Sequence, residues 1–423
     1  MKTRKSNKLL KSAIVVSAAA ALVIGSVSTT HEQNRADAAS KQAKNVIIFV
    51  GDGMGAAARD AIRLATVGVT GKLAMDSMPY AGMIHTSSTS FVTDSAASAT
   101  AYASGVKTYN GAIGMDANKK SVKTIMEYAK EAGKATGVVT TSQVTDATGA
   151  AFGAHVEDRA KQSDIALQYL TKAKIDVLLG GGEDFWFPAG SAGAFQDEPA
   201  EDPSEKSKGT QGNLVDKAKK LGYSYVTSKT DMQKSKGHKL LGLFSNEEMF
   251  QQRPEGEGDI YNPIVSLPDM TKKAIDTLST NKKGFFLMVE EEAIDEMAHS
   301  NNAALTIKAG QQLDKSVQIA KDFAKKNPDT LVLVLADHET GGLSIEAVDD
   351  ADESGDAISK EDGPFAIVKS TEKFVVDWTT SGHTAVDIPI TASGTGSELF
   401  TGSYENTEVF TKMMKAMGLT IKK

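Results

Sequence analysis

The stretch NVIIFVGD, residues 45–52, is a run of aliphatic and β-branched side chains that ends in an acid. Three further runs have the same form: ATGVVTTSQVTDAT at 135–148, GFFLMVE at 284–290 and TLVLVLADH at 330–338. Near-continuous apolar runs are typical of strands covered on both faces, as in a parallel sheet. The four runs therefore predict buried strands whose carboxyl ends carry polar side chains.

Helix-like segments lie between these runs, and the alternation predicts the fold class. They include SVKTIMEYAKEAGK at 121–134, NLVDKAKKLG at 213–222 and ALTIKAGQQLDKSVQIAKDFAKKN at 304–327. Strands that alternate with helices predict an α/β fold with right-handed crossovers. In such sheets ligands bind beyond the carboxyl ends of the strands, where the acids of the four runs fall.

The first 38 residues have the pattern of an export signal. Five basic residues among the first eleven precede the apolar core SAIVVSAAAALVIGSVS, and ADA at 36–38 is a small-x-small cleavage pattern. A transmembrane anchor is the alternative, but the apolar stretch is short for a span and no second one follows. We expect a signal peptide at 1–38 and a catalytic domain at 39–423, secreted or, in a Gram-negative host, periplasmic.

Charge and cysteine content exclude several classes of partner. The formal net charge is −7, and without the six basic and two acidic residues of the leader it is about −11. Nucleic-acid binding, which needs a basic surface, is therefore not expected. The chain has no cysteine, which excludes disulfides and a lipid-modified cysteine, so no membrane attachment is expected.

Two segments interrupt the α/β pattern. Residues 186–212 are polar and rich in Gly, Ser and Pro, which predicts a surface loop. Residues 346–382 begin with acids and continue to FAIVKSTEKFVVDW, which predicts a small inserted lobe near the mouth of the site.

Residues of metal-ligand type gather at the predicted carboxyl edge. Asp295 and His299 are four residues apart, so on a helix they lie on one face and can bind one ion. Histidines with carboxylates favour zinc, whereas carboxylates with a hydroxyl favour magnesium. Each residue alone has a structural explanation, such as a cap or a turn, and it is their number at one edge that indicates a site. The set is Asp52, Thr148, Glu290, Asp295, His299, Asp337, His338 and His383.

The stretch FVTDSAASATAYASG, residues 91–105, contains a candidate nucleophile, Ser95. It lacks the G-x-S-x-G elbow of the α/β-hydrolases, and no histidine is close in sequence. Taken alone, the stretch favours a helix start capped by Asp94 over a catalytic serine.

Taken together, six stretches resemble the alkaline phosphatase family, in the family's order. They are NVIIFVGDGMG, TDSAASATAYASGVKT, DATGAAFGAHVEDR, VEEEAID with its downstream histidine, LADHETGG and GHTAVDIPITASGTGSELFTG. They lie between residues 45 and 404 and so cover nearly all of the mature chain. The resemblance implies an exported phosphomonoesterase with two zinc ions and one magnesium ion. It also implies a large, mostly parallel central sheet with helices on both faces, a three-layer sandwich, and a homodimer.

The resemblance also implies a role for each matching residue. Ser95 would be the nucleophile that becomes phosphorylated, Arg159 would clamp the phosphate, and Asp94 would orient that arginine. The metal ligands would divide into a first zinc set of Asp295, His299 and His383, a second zinc set of Asp52, Asp337 and His338, and a magnesium set of Asp52, Thr148 and Glu290.

The chain departs from the commonest family patterns close to these positions. Glu296 follows Asp295 where a lysine or tryptophan is more familiar, and Asp146 stands where some relatives have histidine. Glu291 stands where glycine is frequent. We expect Asp146 and Glu296 to make the surroundings of the third metal more negative than usual, which favours magnesium and disfavours retention of phosphate.

Residues 350–361, DADESGDAISKE, have the spacing of a calcium loop through Asp350, Asp352, Ser354, Gly355 and Glu361. The flanks do not form a clear helix pair, so a solvated acidic loop is the favoured alternative.

Two other functions remain open. One is a phosphodiesterase or other hydrolase of the same superfamily, although diesterases commonly use threonine and lack a counterpart of Arg159. The other is an exported protein that binds metal or phosphate without catalysis. The expected substrates are small phosphate monoesters.

Overall fold

The computed structural model describes residues 42–195, 206–250, 261–349, 352, 354–355 and 360–421. Fifteen strands are found in this part of the chain. In chain order they are β1 (Asn45–Gly51), β2 (Tyr80–His85), β3 (Ala135–Gln143), β4 (Val177–Gly181), β5 (Ser224–Val226), β6 (Leu240–Leu243), β7 (Phe285–Glu291), β8 (Thr330–Leu335), β9 (Glu339–Thr340), β10 (Ser344–Ala347), β11 (Asp362–Ala366), β12 (Lys373–Asp377), β13 (His383–Thr384), β14 (Ile388–Gly394) and β15 (Gly402–Glu405).

Eleven α-helices accompany these strands within the described residues. They are α1 (Ala56–Val67), α2 (Ser95–Ser104), α3 (Ile125–Glu131), α4 (Ala147–Gly153), α5 (Gln162–Gln168), α6 (Leu214–Lys220), α7 (Lys229–Lys234), α8 (Leu267–Leu278), α9 (Ala293–His299), α10 (Ala303–Lys326) and α11 (Asn406–Ala416). Each of these helices is too short or too polar to cross a membrane.

Ten of the strands form one mixed sheet in the order β15-β2-β14-β8-β1-β7-β3-β4-β6-β5. Only β14 runs against its neighbours, β2 and β8, and the other adjacent pairs are parallel. Every residue of β1, β7 and β8 is buried, as the continuous apolar runs predict. The predicted α/β class with a mostly parallel central sheet is confirmed.

Helices cover both faces of the sheet. In β3, Gly137 lies against Leu278 of α8, whereas the next residue, Val138, lies against Gly149 of α4. Neighbouring residues of a strand point to opposite faces, so α8 and α4 lie on opposite sides of β3. The sheet is therefore the middle layer of three.

The predicted helices begin at identifiable caps. Thr124 and Glu127 form a capping box that starts α3 at Ile125, four residues after the start of the predicted segment. Asn302 caps α10, which continues to Lys326 as predicted. Asn213 caps α6 through the backbone N–H of Asp216.

The expected surface loop over 186–212 has a buried first residue, and residues 196–205 of this segment lie outside the described residues. Trp186 is fully buried, and the chain around it is held by backbone bonds such as Leu214 N–H to Trp186 O at 2.8 Å. The residues that follow Trp186 are mostly polar, so the composition of the segment does not predict that this side chain is buried. The expected signal peptide at 1–38 lies outside the described residues.

A small antiparallel sheet, in the order β10-β12-β11, occupies the segment expected to form an inserted lobe. Asp362 of β11 joins it to the main body, because its carboxylate accepts hydrogen bonds from the Ala303 backbone N–H at 2.6 Å and from Trp378 Nε1 at 3.3 Å. The chain leaves this small sheet just before His383, which brings that histidine back to the edge of the central sheet.

Candidate metal centre and nucleophile

The four runs that predict strands lie side by side, in the order β8-β1-β7-β3. Val50 of β1 is in register with Glu290 of β7 and with Leu335 of β8, so their following residues meet at one edge. Asp52 and Asp337 both come two residues after such a register position. The candidate site therefore forms at the carboxyl edge of the sheet.

One compact group of ligand atoms consists of Asp52, Asp337 and His338, all fully buried. His338 Nε2 lies 3.1 Å from Asp337 Oδ2 and 3.5 Å from Asp52 Oδ1. Asp337 is held by backbone N–H groups, since Gly53 and His338 both donate to its Oδ1, at 3.1 and 3.0 Å. Asp52 Oδ1 and Asp337 Oδ2 are buried without a hydrogen-bond partner, as expected for oxygens that bind a cation.

A second compact group consists of Asp295, His299 and His383. The Nε2 atoms of the two histidines lie 3.0 Å apart, and His299 Nε2 lies 3.2 Å from Asp295 Oδ2. The Nδ1 atoms face backbone carbonyls, that of Ser381 for His299 at 2.6 Å and that of Thr93 for His383 at 3.0 Å. These bonds orient the rings so that Nε2 is the atom turned toward Asp295 on both.

Thr340 connects the two groups and was not identified from the sequence. Its hydroxyl donates to Asp295 Oδ1 and lies 3.3 Å from His338 Nδ1. The rings of His338 and His383 also stack, with centroids 3.6 Å apart. The only signal in the sequence is that Thr340 follows His338 by two residues in the short β9.

A third set of oxygens lies beside the first group. Thr148, in the first turn of α4, donates to Asp52 Oδ2 at 3.2 Å. The buried Glu290 lies beside Thr140 and Thr148, whose hydroxyl groups act to lower its pKa. The donors here are carboxylates and a hydroxyl, which suit a hard cation such as magnesium.

Charge is unbalanced at the first and third sets. Burial, with the nearby carboxylates of Asp337 and Asp295, raises the pKa of Asp52 well above its ordinary value. Burial also raises the pKa of Glu290 to about 7. These shifts have the same physical cause, carboxylates crowded together in a low dielectric, and bound cations would relieve it.

The second group balances its own charge. Burial alone would raise the pKa of Asp295, but hydrogen bonds from His299 and His383 hold it well below its ordinary value. The hydrogen bond that His299 donates to Asp295 in turn raises the pKa of His299 to about 9. A metal ion that binds here must displace a proton from this histidine.

Ser95 is the first residue of α2 and is 4% exposed. Its Oγ lies 3.2 Å from His338 Nε2, next to the first ligand group. Three residues later, Ser98 Oγ donates to the Asp337 backbone carbonyl at 2.8 Å and ties the helix to the same edge. The hydroxyl of Ser95, at the start of α2, therefore lies beside the ligand atoms, and the helix dipole there favours an anion.

Arg159 lies in the loop after α4, on the same side of the site. Its Nη2 is 2.8 Å from Asp146 Oδ2, whereas its Nη1 is 3.7 Å from Asp94 Oδ2. The charge of Asp146 raises the pKa of the guanidinium. Asp146, expected only to add charge near the third metal, is thus the closest partner of this arginine.

Asp94 acts on Arg159 mainly through the backbone. It caps α2 by accepting from Ala97 N–H at 3.0 Å, and it accepts from Gly111 N–H at 2.8 Å. Gly111 O in turn accepts from the Arg159 backbone N–H at 2.9 Å. The same carboxylate of Asp94 therefore caps α2 and is connected, through Gly111, to the backbone of Arg159.

Two further acids discussed from the sequence, Glu291 and Glu296, lie next to these groups. Burial raises the pKa of Glu296 to about 7, and the charge of Asp295 adds to the effect. Glu291 is buried and accepts from Thr141 Oγ1 at 2.7 Å and from Tyr261 OH at 2.6 Å. Burial raises the pKa of Glu291 to about 8, and both of its carboxylate oxygens accept a hydrogen bond.

The calcium-like spacing at 350–361 is only partly visible. Asp350, Ala351, Glu353 and residues 356–359 lie outside the described residues. In the described part, Asp352 Oδ1 accepts from Ser354 N–H at 3.1 Å and Ser354 Oγ donates to Asp377 Oδ1 at 2.9 Å. Calcium binding here stays a prediction.

Known proteins share both sequence and fold with this chain. The alkaline phosphatase family model matches residues 43–375 and 352–419. Alkaline phosphatase 3 of Bacillus subtilis is 34% identical, with 98% of each chain covered. Alkaline phosphatase of Escherichia coli is also 34% identical, over 90% of this chain and 87% of that protein. A mutant of the alkaline phosphatase from the Antarctic bacterium TAB5, with Mg bound in the M3 site, superimposes with a TM-score of 0.70 at 32% identity, covering 90% of this chain and 99% of that one.

Proposed function

This chain belongs to the alkaline phosphatase family and is a phosphatase, and we propose that it is a secreted enzyme that hydrolyses phosphate monoesters through a phosphoserine on Ser95. The observation that carries this proposal is the position of Ser95 Oγ, 3.2 Å from His338 Nε2 at the edge of a buried ligand group. A serine there would need no histidine base, because a cation held by Asp52, Asp337 and His338 would lower the pKa of its hydroxyl.

The ligand groups fit two zinc ions and one magnesium ion. Both compact groups combine histidine with carboxylate, which favours zinc, and the third set is all oxygen, which favours magnesium. The buried oxygens of Asp52 and Asp337 that lack partners support this fit. When bound, such ions stabilise the negative charge on the attacking and leaving oxygens of an in-line displacement. The ligands would be Asp295, His299 and His383 for one zinc, Asp52, Asp337 and His338 for the other, and Asp52, Thr148 and Glu290 for magnesium.

Ser95 performs the chemistry in two displacements. In the first, Oγ loses its proton and bonds to phosphorus while the bond from phosphorus to the alcohol oxygen breaks. In the second, water attacks the phosphoserine, inorganic phosphate leaves and the hydroxyl of Ser95 is restored. Because Ser95 is the first residue of α2, the helix dipole favours the negative charge of the phosphoryl oxygens in both steps.

Arg159 binds the non-bridging oxygens of the phosphoryl group. Its planar guanidinium offers two parallel N–H donors, which lysine cannot do. Asp146 competes with phosphate for the guanidinium because the pair is close, at 2.8 Å, whereas Asp94 lies 3.7 Å from it. We therefore expect weaker retention of product phosphate than an arginine without this partner would give.

Export and assembly follow from the leader pattern at 1–38 and from the family. The basic start, apolar core and ADA pattern support secretion, or a periplasmic location in a Gram-negative host. The homodimer is proposed from family membership alone. Small phosphate monoesters are the proposed substrates.

An assay of the zinc- and magnesium-loaded mature chain tests the substrate class. An aryl phosphate monoester, a phosphate diester and an aryl sulfate are compared, with Ser95→Ala as the control. We expect the monoester to be preferred and the Ser95→Ala variant to lose that activity. A clear preference for the diester would assign the chain to the phosphodiesterases of the superfamily, and no turnover of any substrate would favour a binding protein.

A further inference from the structure

Three glutamates that belong to none of the ligand sets above gather beside the end of β3. Thr141 of β3 bonds to the backbone at or next to two of them. Its Oγ1 accepts from Glu292 N–H at 3.1 Å, and its carbonyl accepts from the N–H of Met249, the residue after Glu248, at 2.9 Å. Gln143 Nε2 donates to Glu248 Oε1 at 2.6 Å. Glu296 lies one helical turn after Glu292 on α9. We call Glu248, Glu292 and Glu296 the glutamate cluster.

Glu292 is the deepest member of the glutamate cluster. It is 4% exposed, and its Oε2 is buried without a hydrogen-bond partner. In the two ligand groups, Asp52 Oδ1 and Asp337 Oδ2 are likewise buried without a hydrogen-bond partner. Since a buried carboxylate oxygen without a donor is costly, Glu292 requires either a proton or a cation.

The surroundings of Glu292 are negative on several sides. The charges that act on it most strongly come from Asp146, Glu296 and Glu248, followed by Glu290. Arg159 also faces this region, but its guanidinium is paired with Asp146 at 2.8 Å. Glu248 and Glu296 are partly exposed, so an ion can reach Glu292 from solvent between them.

We propose that the glutamate cluster binds an additional divalent cation, a partly hydrated Mg²⁺, with Glu292 Oε2 as its direct ligand. This ion is distinct from the magnesium expected at Asp52, Thr148 and Glu290, and its binding does not depend on the proposed activity. It offsets negative charge near Arg159, where an anionic substrate must bind.

The spacing of the cluster favours magnesium that keeps part of its water. The oxygens of the three glutamates do not all lie within 4.8 Å of one another, unlike the ligand atoms of the two histidine groups. Mg²⁺ commonly binds one or two carboxylates directly and keeps several waters, which reach more distant oxygens. Glu248 and Glu296 would then contact the ion through water.

Metal content measured on the purified mature chain tests this proposal without an activity assay. The protein is equilibrated with excess Zn²⁺ and a fixed free Mg²⁺ concentration, separated from unbound metal, and its magnesium is counted by mass spectrometry. We expect two magnesium ions per chain in the parent, one in Glu292→Gln, one in Glu290→Gln and none in the double variant. Glu291→Gln is the matched control, because Glu291 is equally buried but has both oxygens bonded, and it should keep two.

Equal magnesium in the parent and Glu292→Gln would overturn the proposal and mean that Glu292 is protonated. Loss of all magnesium in Glu290→Gln alone would also overturn it, because the cluster would then hold no ion of its own. A second readout guards against misfolding: adding Mg²⁺ should raise the melting temperature of Glu290→Gln but not that of the double variant. An inactive parent that still binds the second ion would contradict the proposed function and leave this site standing.

Discussion

At the scale of single residues, the site depends on side chains that hold other side chains in place. His299 and His383 are fixed by backbone carbonyls at their Nδ1 atoms, and Asp337 is fixed by two backbone N–H groups. The ligand atoms are therefore positioned before any ion binds, which lowers the cost of binding one.

Thr340 is the side chain that connects the two histidine groups. Thr340→Val keeps the shape and removes the hydroxyl that contacts Asp295 and His338, so we expect roughly 10–100-fold weaker zinc binding with the fold intact. Competition with a chromophoric chelator measures the affinity. Thr384→Val is the control, since Thr384 donates to Glu339 instead. Unchanged zinc affinity in Thr340→Val would contradict this role.

Asp146 sets how firmly Arg159 can hold phosphate. Asp146→Asn removes the charge of the closest partner, and we expect inorganic phosphate to inhibit roughly fivefold more strongly, in line with about 1 kcal/mol for a partly exposed ion pair. The inhibition constant for phosphate is the measurement. Weaker inhibition would show that Asp146 orients the arginine for phosphate and does not compete with it.

At the scale of elements, the turn after β1 places Asp52. Gly53 has a φ of +65°, and a Cβ there would lie 2.5 Å from Asp295 Oδ1 and 2.8 Å from Thr340 Oγ1. Gly53→Ala must therefore displace Asp295, a member of the second group, and Thr340, which connects the two groups. We expect it to abolish zinc retention during dialysis, a loss measured by metal analysis.

The control for this variant is Gly222→Ala. Gly222 has a φ of +89° but no atom within 4 Å of the added Cβ, so the variant carries only the backbone strain, about 1–2 kcal/mol. We expect Gly222→Ala to melt at a slightly lower temperature and to retain its zinc fully. If Gly53→Ala also kept its zinc, the turn would not be what positions Asp52.

The start of α3 carries a pH-dependent contact remote from the metals. His155 Nε2 lies 3.2 Å from Glu127 Oε1. Burial alone would lower the pKa of His155 and raise that of Glu127, but their hydrogen bond helps to reverse both shifts. The raised pKa of His155 means that the pair stabilises fully below pH 6.5 and is lost as the pH rises. The lowered pKa of Glu127 means that the contribution is also lost as the pH falls below 4.5.

Glu127→Gln isolates this contact, since glutamine preserves the capping box. We expect the variant to be less stable than the parent by up to about 1 kcal/mol at pH 5.5, and by less at pH 9. Melting temperatures at both pH values, with zinc saturating, give the comparison. An equal difference at both pH values would mean that the pair does not titrate in this range.

Which elements could be predicted depended on how local their signal is. The buried strands and α10 are visible because apolar runs and helical periodicity extend over several residues. The burial of Trp186, the first residue of the segment 186–212, could not be predicted, because a single tryptophan gives no signal inside a polar composition. The contact between Asp146 and Arg159 could not be predicted, because it depends on how the loop after α4 returns to the end of β3.

At the scale of the whole molecule, the order β8-β1-β7-β3 is what turns four separate strand ends into one site. Parallel strands present their carboxyl ends at the same edge, so the acids of distant segments meet there. The sequence motifs identify these acids, but the return of His383 requires the small sheet of β10, β11 and β12. The position of His383 depends on how the small sheet folds, and no periodic pattern in the sequence predicts it.

The measurement that tests the account most directly is the covalent state of Ser95 during turnover. The metal-loaded enzyme is mixed with a phosphate monoester, stopped in acid and digested, and the peptide that contains residues 91–105 is examined by mass spectrometry. We predict one phosphoryl group on Ser95, formed only with substrate and absent from Ser95→Ala, which should be inactive. Turnover of the monoester with no phosphoryl group on Ser95, or activity retained in Ser95→Ala, would contradict the account.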